Sequence, residues 1–455
     1  MGRPTRARSL AVWMNGERVG TWTLPARGDQ TFTYAESWLH SRQFRPLSLS
    51  LPAGLGASSL SGNAVASWFD NLLPDSDAFR RRAQARFQAA STSAFDLLAA
   101  VGRDCAGAVQ LLPPDQEPSG IDRIEAKPLS DQEIGRRLRS VTAAPAPGSL
   151  GPESDELRLS VAGAQEKTAF LWHNKQWCLP LGSTPTTHLF KLPMGVIGEG
   201  QIDFSSSVEN EWLCSRVLKA YGLPVASTEM GCFNGERCLI VQRFDRRLHA
   251  TGAYWLRLPT EDCCQATSTP AASKYENSGG PGMGAIAELL AQSSARSDLA
   301  TFFKAQVLFW MLRAMDGHAK NFSLFLNPGG RFQLTPLYDV LSAWPVIGRS
   351  SDQWPQQMLK MAMAWHGEKG HYCKPLEITG RRMLLTAKRL GLGDAQPILD
   401  ELIAQTPTVL AAVQAQLPAD FPQTVAEPVF TGLQTSASQL QRPLLERPLL
   451  QRQLL

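Results

Sequence analysis

No stretch of this 455-residue chain approaches the roughly 20 consecutive apolar residues that a membrane-spanning helix needs. The basic start MGRPTRAR is followed only by the short apolar run LAVWM, so a secretory leader is not expected. The eight cysteines (Cys105, Cys178, Cys214, Cys232, Cys238, Cys263, Cys264, Cys373) form no Cys-x-x-Cys pair and no zinc-like His and Cys spacing. A reduced, cytoplasmic chain is the expectation. A formal net charge of +4 is small for this length and argues neither for nor against a polyanion partner. Two nucleotide signatures are also missing. No GxxxxGK[ST] occurs, which excludes a P-loop, and GGPGMG from Gly279 follows SKYENS rather than a strand, so a dinucleotide-binding turn fails its own context.

What is there is a spacing. In AMDGHAKNFSLFL, at 314–326, Asp316 stands five positions before Asn321, and a second aspartate, Asp339, follows in LTPLYDV. In phosphoryl transfer an Asp takes or orients the proton of the attacking hydroxyl. An Asn on the same loop holds Mg²⁺, and a further Asp bridges metal to phosphate. An Asp and an Asn at this spacing also serve as caps and turn formers. Context favours chemistry. The apolar run LATFFKAQVLFWMLRAM at 299–315 predicts a buried helix that delivers the polar loop, and SLFL, NPGG and RFQLT predict a hairpin that returns the chain to Asp339.

The wider pattern predicts an α+β, two-lobed, protein-kinase-like fold. It has a strand-rich N-terminal part with an extra small N-terminal subdomain, and an all-helical C-terminal lobe. Residues 1–111 form the subdomain, with an Asn15-Gly16 hairpin, further strands at 31–34 and 47–51, and helices near 64–73, 76–88 and 94–101. The kinase-like N-lobe spans 112–245 and the helical C-lobe 246–420. The tail at 421–455, ending in RPLLERPLLQRQLL, is expected to be helix-poor and disordered.

Phosphoryl transfer also needs a fixed cation near the α- and β-phosphates. Lys191 lies in the apolar strand THLFKLP, ahead of a helix carrying Glu209 and Glu211, and spacing leaves open which glutamate pairs with it. A solvent-facing lysine on an amphipathic sheet is the plainer reading. Gln242, Arg243 and Phe244, where the strand CLIVQRF ends, are candidate hinge residues whose backbone would meet adenine. For a phosphate loop the nearest substitute is the small-residue turn from Ser160 through Ala162, Gly163, Ala164, Gln165 and Glu166 to Lys167.

In order, SVAGAQEKTAF, TPTTHLFKLP, VQRFDRR, RLPTEDCCQ, KYENSGGPG, MDGHAKNFSLF and LTPLYDVLSAWPV resemble the HipA serine/threonine kinase toxins. MNGERVG and WFDNLLPD resemble that family's amino-terminal subdomain, and the likeness runs over residues 10–421. The resemblance implies ATP and Mg²⁺ as cofactors, Asp316 as catalytic base, and Asn321 and Asp339 as metal ligands. It places Lys191 on the ATP phosphates, residues 162–167 in the phosphate loop and residues 242–244 at the hinge. His318, Ala319, Lys320, Asn321 and Tyr338 would lie against the nucleotide. Ser160 would be an autophosphorylation site that switches the enzyme off, since a phosphate beside an ATP cradle opposes nucleotide binding.

The implied partners are a HipB-like helix-turn-helix antitoxin dimer, operator DNA reached through that complex on the nucleoid, and glutamyl-tRNA synthetase as substrate. The departures from the family, after Phe421 and around 349–380, bear on partner and DNA contacts. Arg381 and Arg382, with Lys388 and Arg389, can touch a phosphate backbone, although a solvated helix face is the simpler reading. A kinase acting on a small molecule and a silent corepressor remain alternatives.

Overall fold

The computed structural model describes residues 7–53, 59–142, 165–198 and 202–441. Five antiparallel strands open the chain: β1 (Arg8–Met14), β2 (Glu17–Leu24), β3 (Thr31–Tyr34), β4 (Ser59–Ser61) and β5 (Val109–Leu112), in the order β4-β3-β2-β1-β5. Asn15 and Gly16 both take positive φ, 47° and 87°, the geometry a two-residue turn between right-twisted strands demands. Helices α1 (Glu36–Leu39), α2 (Asn63–Asp70), α3 (Asp77–Phe87) and α4 (Ala94–Val101) complete this subdomain. Its core is aromatic, with Trp22 stacked on Phe69 at 3.9 Å. Residues 47–51, expected as a strand, form a bend instead. The Tyr34 hydroxyl accepts from the Leu47 amide at 2.7 Å and donates to the Leu51 carbonyl at 2.5 Å, so a side chain meets the polar groups a ladder would have met.

A six-stranded sheet follows, built from β6 (Ala126–Pro128), β7 (Lys167–His173), β8 (Gln176–Pro180), β9 (His188–Lys191), β12 (Thr228–Phe233) and β13 (Glu236–Gln242) in the order β12-β13-β9-β7-β8-β6, with a ribbon of β10 (Gly195–Ile197) and β11 (Ile202–Phe204) beside it. Its helices are α5 (Asp131–Thr142) and α6 (Ser207–Ala220). On β13 the period of two sorts the core. Cys238 and Ile240 pack with Ile134 and Leu138 of α5, while Leu239 and Val241 pack with α6 and the second lobe.

Helices make the bulk of the C-terminal lobe: α7 (Cys263–Ala266), α8 (Met283–Leu290), α9 (Asp298–Leu312), α10 (Gly380–Arg389), α11 (Gln396–Gln414) and α12 (Gln423–Gln441). It is not wholly helical. Ribbons β14 (Arg246–Leu248) with β15 (Trp255–Arg257), and β16 (Thr260–Asp262) with β17 (Ser323–Leu326) and β18 (Phe332–Leu334), run between the helices, and a two-residue pair, Trp365–His366 with His371–Tyr372, closes a further loop. Together the two lobes make a protein-kinase-like fold. Among the described residues no helix is long and apolar enough to cross a membrane.

The tail requires correction. Residues 423–441, expected to be disordered, form α12, buried through Val425, Val429, Leu433 and Ala437. That spacing of four is one face of a helix, and its packing outweighs the interior Pro428. At Gly432 the Trp344 ring lies 2.3 Å from where a Cβ would stand, so only glycine lets the helix close on it. Residues 442–455 lie outside the described residues.

A buried ion cluster ties the subdomain to both lobes. Asp104, just before β5, accepts from Arg246 at 2.8 Å and Arg257 at 3.2 Å, with Arg243 at 3.4 Å, and from the Thr186 hydroxyl at 2.7 Å. Asp245 pairs with Arg243 at 2.8 Å and takes the Gly107 amide at 2.7 Å. Burial disfavours the Asp104 carboxylate, but the three guanidiniums outweigh it and hold its pKa well below the usual range. With three guanidiniums against two carboxylates the cluster is not neutral, and burial pushes Arg257 down to about 10.

Glu261 on β16 seals a second joint, accepting from the Leu49 amide at 2.9 Å and the Trp68 indole at 3.3 Å. Burial pushes its pKa from 4.5 up to about 7. Between these values the folded chain holds a proton that the unfolded chain has released, so stability falls as pH rises from 4.5 through 7. Glu261→Gln is expected to flatten that part of the profile, read as urea midpoints at pH 5, 6 and 7; an unchanged slope would place the pH dependence elsewhere.

Candidate active site

The cleft between the lobes is where the sequence-predicted residues meet. Lys167 and Lys191 are directly opposite each other on neighbouring antiparallel strands, β7 and β9, so both side chains leave the same face of the sheet. Two like charges so placed repel, and the carboxylates around them offset the repulsion. The Lys191 Nζ lies 2.6 Å from Glu211 Oε1 and 2.6 Å from Asp339 Oδ1, almost fully buried. The choice of glutamate follows from helix geometry. Residues two apart on α6 are about 200° apart around its axis, so only one can reach Lys191. Glu211 does; Glu209 pairs instead with the half-exposed Arg237 of β13 at 2.6 Å.

Burial opposes the charge on Lys191, but Asp339 and Glu211 outweigh it and hold its pKa above the ordinary value. Asp339 shifts down, since Lys191 and Lys167 outweigh its burial. One ammonium cannot satisfy two carboxylates equally, and for Glu211 burial wins and the pKa rises. Burial and the neighbouring Lys191 push Lys167 down to about 8. Asp339 takes φ of +61°, a left-handed backbone rare outside glycine, asparagine and aspartate. Such strain persists where surrounding contacts over-determine it.

The catalytic-loop candidates converge on the same cleft. Asp316 projects into it from the turn after α9, its side chain two-thirds exposed. Asn321 donates its amide nitrogen to the Asp316 backbone carbonyl at 2.7 Å, which directs its side-chain oxygen elsewhere. Burial lowers the His318 pKa, leaving a neutral ring whose Nε2 is 3.8 Å from Asp316 Oδ2. The Tyr338 hydroxyl donates to the Lys320 carbonyl at 2.8 Å, and its ring packs against Phe244 at 5.6 Å.

Other candidates are placed differently from expectation. Ala319 is fully buried and does not line the cleft. Lys320 borders it, but its ammonium is spent on Asn71, with the carbonyl at 3.0 Å and Oδ1 at 2.8 Å. At the hinge the amides of Gln242 and Arg243 are already committed to the Ser227 and Thr187 carbonyls, at 2.8 and 2.9 Å. The Arg243 side chain turns back into the buried ion cluster. Among the described residues the Phe244 amide has no backbone acceptor, so it is the donor left for a ligand. Gln165 donates to the Leu192 carbonyl at 2.6 Å and Glu166 pairs with Arg82 of α3. Ser160, Ala162, Gly163 and Ala164 lie outside the described residues. On α10 Arg381 is exposed and paired with Glu368, and Arg382 is half-buried over the Tyr372 ring at 3.5 Å.

Sequence reasoning missed the subdomain's share of the cleft. Asn71, Leu72, Asp75 and Ala106 line it, and Lys274 and Tyr275 reach it from the segment before α8. WFDNLLPD and KYENSGGPG carry most of these residues, so the motifs were visible while their roles were not.

Residues 159–410 match the HipA-like C-terminal domain and residues 10–112 the HipA N-terminal domain. The chain belongs to the HipA family. It is 37% identical over 345 residues to Y4mE of Sinorhizobium fredii, named a candidate kinase, covering 74% of this chain and 77% of that protein. It is 28% identical over 349 residues to the serine/threonine-protein kinase toxin HipA of Shewanella oneidensis, covering 73% and 75%. The solved Shewanella oneidensis MR-1 complex of HipA, HipB and operator DNA contains a chain that superposes with a TM-score of 0.75 at 23% identity, over 95% of this chain and 97% of that one, and so shares the HipA fold.

Removing one partner of a buried charge cluster strands the others. Lys191→Met is expected to destabilise the protein by about 3–5 kcal/mol. Arg237→Ala, at the exposed pair, should cost less than about 1 kcal/mol. Urea unfolding of the two variants checks this, and equal losses would contradict the burial argument.

Proposed function

We propose that this chain is an ATP-dependent serine/threonine protein kinase and the toxin of a type II toxin–antitoxin module. The observation that carries the reading is Lys191, bridged at once to Glu211 and Asp339 on the floor of a cleft that Asp316 and Asn321 enter from the other lobe. A silent corepressor has no use for a buried cation held between two carboxylates at the cost of desolvating all three. The kinase name of the Shewanella relative supports the same reading.

In this reading Lys191 places its charge beside the α- and β-phosphates of ATP, and Lys167 adds a second cation from the neighbouring strand. The Phe244 amide meets adenine at the hinge. Asp316 takes the proton of the attacking hydroxyl, and neutral His318 flanks it without neutralising its charge. The residues present fit Mg²⁺. Asn321 has its amide nitrogen engaged and its oxygen left over, Asp339 has one oxygen on Lys191 and one to spare, and Mg²⁺ takes few protein oxygens beside phosphate and water. Asn321 and Asp339 would hold it, and when bound it would neutralise charge developing on the transferred phosphoryl group.

The family resemblance extends the proposal. The substrate is glutamyl-tRNA synthetase, whose phosphorylation would halt translation and bring growth arrest and persistence. Ser160 is the site of autoinactivation. A HipB-like antitoxin dimer holds the chain on operator DNA, with Arg381 and Arg382 of α10 the basic pair that would meet phosphate. The shared fold with a HipA bound to HipB and operator DNA supports these partners.

With Mg-ATP, the purified chain is expected to phosphorylate itself at Ser160 and to phosphorylate glutamyl-tRNA synthetase, both read by mass spectrometry, and Asp316→Ala should abolish both. Expression should arrest growth, and a co-expressed helix-turn-helix antitoxin should relieve the arrest. An Asp316→Ala chain as toxic as the parent would show that kinase activity is not the weapon.

A further inference from the structure

We propose that Tyr275 is a positioning residue for Asp316: its hydroxyl fixes the carboxylate so that Oδ2 is the oxygen presented to the substrate. This rests on the kinase reading above. The Tyr275 hydroxyl donates to Asp316 Oδ1 at 2.5 Å. Among the described residues the other oxygen, Oδ2, has no hydrogen-bond partner and lies 3.8 Å from His318 Nε2. With two-thirds of its surface exposed, the Asp316 side chain has little else to set its torsion, and the Tyr275 hydrogen bond supplies that constraint.

The alternative role for a tyrosine in this place is a plug that occupies the acceptor's position and swings out when substrate arrives. The local structure opposes that. The Tyr275 carbonyl accepts from the Ser278 amide at 3.0 Å and the Gly280 amide at 2.9 Å, closing a tight turn. A Cβ at Gly280 would lie 2.0 Å from the Ser273 carbonyl oxygen, so the turn depends on that glycine. The Tyr275 ring stands edge-on against His318, at 5.0 Å and 82°, on the loop that carries Asp316. Lys274, the preceding residue, is held by Asp75 of the subdomain at 2.8 Å, and the same carboxylate lies 3.4 Å from Lys320, four residues after Asp316. Tyr275 is thus pinned to the catalytic loop on one side and to the subdomain on the other.

In the transfer, the substrate hydroxyl oxygen bonds to the γ-phosphorus as the bond from that phosphorus to the β,γ-bridging oxygen breaks. The bridging oxygen leaves with ADP, and the hydroxyl proton passes to Asp316 Oδ2. Tyr275 keeps its own proton throughout and stays on Oδ1.

Tyr275→Phe keeps the ring against His318 and removes only the hydroxyl. In the full chain with Mg-ATP, kcat for phosphorylation of Ser160 or of a protein substrate is expected to fall by about 10- to 100-fold, with KM for ATP, nucleotide affinity and melting temperature unchanged. A purely structural tyrosine would move nucleotide affinity and melting temperature along with kcat, and that result would overturn the proposal. An unchanged kcat overturns it as well, and a raised kcat establishes the plug in its place. A parent chain that transfers no phosphate overturns the kinase reading and this proposal together, whereas an active parent with an equally active Tyr275→Phe variant overturns the positioning role alone.

Discussion

One buried ammonium, shared by two carboxylates, sets the terms for the cleft. Lys191 sits on a central strand of the sheet, Glu211 on the helix behind it, and Asp339 on the loop that returns from the C-terminal hairpin. Asp339 comes from 148 residues beyond Lys191, and a buried cation is tolerable only when these elements arrive together. The arrangement therefore reports on the whole fold. If the lobes were turned relative to one another, Asp339 would leave, Glu211 alone would remain, and the repulsion from Lys167 across the strand pair would be less well offset. The left-handed backbone at Asp339 belongs to the same constraint, since an unfavourable conformation is held in place by the charge it delivers.

The amino-terminal subdomain is structurally part of this centre. Asp104 reaches into the arginines that follow β13, Glu261 receives donors from Leu49 and Trp68, and Asn71 with Asp75 takes up Lys320 and Lys274. These joints are polar and buried, so each depends on complete hydrogen bonding, and a partial separation would leave charges without partners. An unaided kinase fold has two bodies around its nucleotide; here a third supplies part of the wall.

How much of this was legible in the sequence depends on the range of the interaction. The Asp316 and Asn321 spacing, the buried helix before it, the hairpin after it and the Asn15-Gly16 turn are local, and local patterns carry their own physical reasons. The choice between Glu209 and Glu211 was not legible, because periodicity says that only one of them can reach Lys191 but not which. Asn71, Asp75 and Ala106 come from a different unit of the chain and no spacing rule connects them to Asp316. For Gln242 and Arg243, proposed as the hinge, the amides were already bonded to the Ser227 and Thr187 carbonyls, which only the folded chain can reveal. For α12 the Pro-rich ending drew attention from the stripe at Val425, Val429 and Leu433, and Gly432 gave no hint of the tryptophan it admits.

The buried cluster around Asp104 also restricts how this sequence can change. Arg243 serves two masters: it lines the cleft just after β13, while its guanidinium belongs to a cluster that includes a carboxylate from another unit of the chain. Replacing it alone leaves Asp245 and Asp104 short of a cation, and replacing Asp104 alone leaves three arginines facing each other. Viable routes through sequence space thus pass through coupled substitutions, in which the subdomain and the segment after β13 change together.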